Sequence, residues 1–86
     1  MKNKVLIRLI VPEIDSTFDV FIPVNEFVWK IEKMLLKSIE DLSGIRLNQN
    51  IECVLLNKDN CRIYNNNEVI LNTDIRNSSE IILMLK

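Results

Sequence analysis

The sequence predicts an α+β domain, a mixed sheet of four to five strands with one helix packed on one face, in the order ββαβββ. Three observations carry this expectation. Short runs of branched apolar residues, bounded by Pro, Asn, Asp and Ser, recur near both ends of the chain. A single central stretch changes to a helical period. The apolar fraction of 48% is dominated by 13 Ile and 11 Leu with no Ala at all, a mix that favours densely packed, partly β-branched elements over disorder.

Val5–Val11 is too short for a packed helix and is followed by Pro12, which removes a backbone donor, so it reads as the first strand. Glu13–Ser16 is a polar turn, and Thr17–Pro23 alternates Phe18, Val20 and Ile22 against Asp19 and Phe21, giving a second strand in a hairpin with the first. Arg8 between Ile7 and Leu9 assigns Val5, Ile7 and Leu9 to the core and Leu6, Arg8 and Ile10 to the outside. Asn25 is the expected N-cap of a helix running to Leu42. Val28, Ile31, Leu35, Ile39 and Leu42 form its apolar stripe, and Gly44 sits where a left-handed cap residue belongs. Ile51–Leu56 and Cys61–Tyr64 flank the turn formers Asn57–Asn60 and read as a second hairpin, with Cys61 opposite Leu56 and Cys53 opposite Tyr64. After the loop Asn65–Asn67 come a short apolar segment, Val69–Leu71, and a closing strand, Ser79–Leu85, apolar on both faces.

Composition excludes more than it assigns. The 86 residues make one domain, 1–86. Eleven basic against twelve acidic residues leave a net charge of −1, so neither a nucleic acid nor an anionic membrane is an expected partner. No apolar run approaches the ~18 residues of a membrane span, and the N-terminus shows no leader pattern. A cytoplasmic protein that is not membrane-inserted is the expectation. With no His and only Cys53 and Cys61, nucleophilic triads, zinc sites and the commonest general base are missing, and the single glycine precludes a phosphate loop. Asp15, Asp19, Asp41, Asp59 and Asp74 fall singly on turns, caps and edges. No catalytic residue, cofactor or metal ligand is expected. The two sulfurs fall on opposite faces of the expected hairpin, so both thiols are expected free and in small, buried apolar roles.

Two strands, a helix, a second hairpin and a doubly apolar last strand resemble the β-grasp fold of ubiquitin. Ile22, Val28, Ile31 and Leu35 are separated by six, three and four residues, and Ile70, Ile75 and Ile81 by five and six, as are the apolar anchors of ubiquitin-like domains. Within that fold the chain is similar to the YukD/EsaB family, ubiquitin-like proteins of bacterial type VII secretion loci. Phe18–Pro23 looks like that family's second strand, Val28–Leu35 like its helix opening, and Val54–Asp59 like the start of its second hairpin. The apolar helix surface at Trp29 and Leu36 and the asparagine loop depart from the pattern. The resemblance implies a non-catalytic protein-interaction module, an accessory of type VII secretion whose expected partner is a protein such as a component of the secretion machinery. Ubiquitin and the sulfur carriers act through a Gly-Gly tail, whereas here Leu83-Met84-Leu85-Lys86 follow one another, so a conjugated carrier is the lesser expectation. A structural oligomer subunit is the other alternative.

The residues themselves point to a working surface. One helix covers one face of a sheet, so Leu6, Ile10, Phe21, Ile82 and Met84 are expected on the uncovered face, as a protein-binding patch for a partner or for a second copy forming a homodimer. Trp29 and Leu36, a second stripe on the helix, are the secondary candidates.

Overall fold

A computed structural model describes residues 3–48 and 50–85. Strands β1 (Lys4–Val11), β2 (Ser16–Pro23), β3 (Cys53–Asn57) and β4 (Glu80–Leu85) form one mixed sheet in the order β2-β1-β4-β3. One helix, α1 (Val28–Ser43), crosses one face. β1 and β2 are antiparallel, β3 and β4 are antiparallel, and the central pair β1–β4 is parallel, with Leu9 beside Ile81. The expected architecture is therefore present, with four strands.

The inner face follows from period-two alternation. Ile7, Leu9 and Val11 of β1, Ile22 of β2, Leu55 of β3, and Ile81 and Leu83 of β4 are buried beneath Val28, Ile31, Leu35 and Ile39. Val5, Phe18, Val20 and Leu85 pack partly buried at the margin of this core. Leu42 departs from expectation. It continues the helical stripe past the part of α1 that the sheet supports, and it is 59% exposed. Leu36 joins the core in its place at 2% exposure.

The helix starts two residues later than its sequence suggests. Asn25 does not cap it; Phe27 holds the N-cap position with no side-chain cap. The leading N–H groups are satisfied from far along the chain, Val28 donating to the Glu68 carbonyl (2.8 Å) and Trp29 to that of Asn66 (3.3 Å). At the other end Gly44 adopts φ 75° and donates to the Glu40 carbonyl (2.9 Å), the expected left-handed cap. Val69–Leu71 is not a strand. Val69 makes an isolated bridge to Phe27, and the N–H groups of Ile70 and Leu71 donate to Glu26 and Val24, so this segment pairs with the turn before α1.

The second hairpin is also altered. Leu56 faces Ile63, not Cys61, and this bridge is isolated. The cause lies in Asn57, whose Oδ1 accepts from the N–H groups of Asp59 (2.8 Å) and Asn60 (3.4 Å), while its carbonyl accepts from Cys61. Cys61, at φ 61°, is spent inside this turn. It is exposed and Cys53 half-buried, and both are free; the buried role expected for both does not hold for Cys61.

Candidate functional site

The sheet face opposite α1 is built from the even-numbered residues of β1 and β4 and their partners. Reading the register across the strands, Thr17, Ile10, Ile82, Leu56 and Ile63 form one continuous row over the full width of the sheet. Met84 and Val54 pair in the adjoining row. Ile63 is 62% and Met84 40% exposed, while Ile10, Ile82, Leu56 and Val54 are half-buried by their neighbours. The result is an apolar patch with two projecting side chains on a half-covered floor.

A line of charges borders it. Asp19, Arg8, Glu80 and Lys58 stand side by side across the four strands with alternating sign. Arg8 Nε lies 3.4 Å from Asp19 Oδ1, and Lys58 Nζ lies 3.5 Å from Glu80 Oε1. These pairs are well exposed, so they add little stability and act as a polar rim. Beyond them lie Leu6 and Phe21, which face each other about 13 Å from Ile10, four residues along the strand.

The structure thus divides the five residues singled out from sequence. Ile10, Ile82 and Met84 belong to the patch, and Leu6 and Phe21 form a separate pair across the charged row. Val54, Leu56 and Ile63 complete the patch and were not anticipated. The run Val54-Leu55-Leu56 is apolar on both faces, and that was the available signal; the place of Ile63 needed the register that the Asn57 turn sets. On the helix, Trp29 is exposed, whereas Leu36 is buried in the core at 2% exposure.

Ile63 is held outward by the residues on either side. Tyr64 is buried, its Oη accepting from Asn57 Nδ2 (3.2 Å) and donating to Asp74 Oδ1. Asn60 Nδ2 donates to Asp74 Oδ2 (3.1 Å). Arg62 pairs with Glu68 (2.6 Å), approaches Asp74 (3.7 Å) and sits 5.1 Å from the Tyr64 ring centroid. Burial, reinforced by the bond to Asp74, pushes the Tyr64 phenol up to about 12. The hydrogen bond from Tyr64, then Asn60 and Arg62, hold the Asp74 carboxyl below its ordinary value. At neutral pH the phenol is a donor and the carboxylate an acceptor, which suits a structural clasp. The Cys53 thiol is pushed to about 11 by burial and by Glu32, so it stays protonated. Among the described residues no cluster of three or more His, Cys, Asp or Glu could hold a metal ion, and no helix is long and apolar enough to cross a membrane.

No family model matches the sequence, and no curated protein matches it. Solved structures share the fold at low identity. A chain of the toluene 4-monooxygenase HD complex with the inhibitor 4-bromobenzoate has a TM-score of 0.77 at 5% identity, over 96% of this chain and 99% of that one. The ubiquitin-like domain of Dsk2 from Plasmodium falciparum has a TM-score of 0.70 at 12% identity, over 96% and 99%. A chain of the MycP5-free ESX-5 inner membrane complex has a TM-score of 0.74 at 14% identity; the match covers 98% of this chain and 21% of that one. The fold is the ubiquitin-like β-grasp.

Proposed function

We propose that this chain is a non-catalytic ubiquitin-like interaction module that docks another protein on the open face of its sheet, as a cytoplasmic accessory of bacterial type VII secretion. The observation that carries the docking reading is the unbroken apolar row Ile10–Ile82–Leu56–Ile63, with Met84 and Val54 beside it. A row of this kind, bordered on one side by charged pairs, has the anatomy of a protein-binding surface. The secretion assignment rests on the resemblance of Phe18–Pro23 and Val54–Asp59 to the YukD/EsaB pattern. It is supported by the likeness to a chain of the ESX-5 inner membrane complex.

The test is the double variant Ile63→Asp with Met84→Asp, both exposed positions whose change spares the core. Its circular dichroism stays that of the parent protein, while co-purification with the secretion complex of the same locus and export of that system's substrates are lost. Undiminished co-purification would overturn the docking face, and unchanged export on deleting the whole chain would overturn the secretion role.

A further inference from the structure

The helix side of the molecule carries a second feature, which meets the open sheet face only at Val54 and Ile63. Where α1 meets the edge of β3, a groove of about 450 Å³ runs between Trp29, Glu32 and Leu36 on one wall and Ile51–Cys53 on the other. It continues past Asn66 into a second hollow of about 570 Å³ that shares Glu32 and Cys53. Glu32 stands at the junction, only 8% exposed, and among the described residues no Lys or Arg nitrogen lies within 4.0 Å of it. The Cys53 thiol, a weak donor, lines the groove beside it. The carboxylate opens only into the groove and its neighbouring hollow, where a cation would complete its pairing.

The charge around it is net negative, Glu32 and Glu52 standing against Lys33 in the groove. Glu52 lines the same groove, and Glu68, at the far hollow, is neutralised by Arg62. Lys33 is the cationic side chain on the groove wall, and it makes no ion pair with Glu32. The edge of β3 is open at the same place. The Leu55 carbonyl accepts from Tyr64 and the Asn57 N–H donates to Arg62, both directed away from β4. By strand alternation the N–H and C=O of Cys53 point the same way, into the groove, where an extended segment would find them.

We infer that this groove receives an extended segment of a partner protein whose arginine or lysine side chain pairs with Glu32 beneath the Trp29 ring. The backbone of the segment adds to the β3 edge at Cys53, and alternate side chains turn inward, one of them carrying the charge. Trp29 supplies an aromatic face at the mouth for the incoming cation. Burial holds the Glu32 carboxyl above its ordinary value, a shift that an arriving cation reverses.

The probe is a blocked tripeptide, acetyl-Val-Arg-Val-amide, with its citrulline twin as the uncharged isostere, titrated against the isotope-labelled chain by NMR. The arginine peptide is expected to shift the Trp29 indole N–H and the Cys53 and Asn66 amides. The citrulline twin binds about tenfold more weakly, and Glu32→Gln weakens the arginine peptide by a similar factor. Amide dispersion of Glu32→Gln verifies its fold. Met84→Asp, a change on the open sheet face away from both hollows, keeps the groove binding, which separates this site from the patch. Equal binding of the two peptides, indifference to Glu32→Gln, shifts gathered on Ile10, Ile82 and Met84, or no shifts at all would each overturn the inference.

Discussion

Replacing Tyr64 by Phe removes one oxygen and tests the clasp that holds the Ile63 edge in place. Two bonds disappear, the donation from Asn57 Nδ2 and the donation to Asp74. The consequences differ because the partners differ in exposure. Asn57 is buried, so its amide loses its partner with no ready access to water, at about 1–3 kcal/mol. The Asp74 side chain is 38% exposed and keeps Asn60 and Arg62, so water replaces the phenol and the loss there is about 0.5–1 kcal/mol. The expected sum is about 1.5–4 kcal/mol, a large share of the about 4–13 kcal/mol available to a domain of this size. In urea the midpoint should fall by about 1.5–4 M at a slope near 1 kcal/mol/M. The dependence on pH has a definite sign. Asp74 has its folded value depressed, so its contribution is present above the unfolded value of about 3.8 and is lost as pH falls through the folded one. Tyr64 has its folded value raised to about 12 from 10.0, so its contribution is complete below 10 and disappears as pH rises toward 12. The gap between parent and variant is therefore widest near neutrality and narrows on both flanks. A loss below about 0.5 kcal/mol at neutral pH, or a gap independent of pH, would refute the reasoning.

Ile31→Ala, at a fully buried position facing the sheet, should cost about 2–5 kcal/mol in chemical denaturation, and an unchanged midpoint would contradict its burial. Intact mass without reductant should show both cysteines reduced, and Ellman's reagent should label exposed Cys61 well before Cys53, whose thiol is half-buried and pushed to about 11; equal rates would count against this placement. Phe21→Asp should leave partner association within about twofold, because the charged row isolates it from the patch; a loss matching that of Ile63→Asp with Met84→Asp would mean the two areas act together.

What could be read from the sequence was whatever is periodic. Alternation placed Val5–Ile10 of β1 and Phe18–Ile22 of β2 on their correct faces, and the three-and-four spacing of Val28, Ile31, Leu35 and Ile39 located the buried side of α1. Features set by contacts between distant residues were hidden. The helix start is decided by carbonyls of Asn66 and Glu68, which no local capping pattern announces. The register of the second hairpin is decided by a side chain, Asn57, bonding to its own turn. The same limit applied to the surface. Ile10, Ile82 and Met84 were recognisable as uncovered, but the separation of Leu6 and Phe21 from them depends on Arg8, Asp19, Glu80 and Lys58 aligning across four strands. Glu32 resembled any polar helix residue until β3 and the asparagine loop closed over it.

The parallel pairing of β1 with β4 sets an order on the birth of this molecule. During synthesis β1 and β2 leave the ribosome first and can zip together at once, yet the other edge of β1 has no partner until nearly the whole chain has followed. Throughout that interval the nascent hairpin is apolar on both faces with an open edge, and α1 has only half its floor. The strand that completes the core also completes the Ile10–Ile82 row, so the surface proposed for docking does not exist before β4 is in place. A chain folded only as far as β3 therefore lacks that proposed surface.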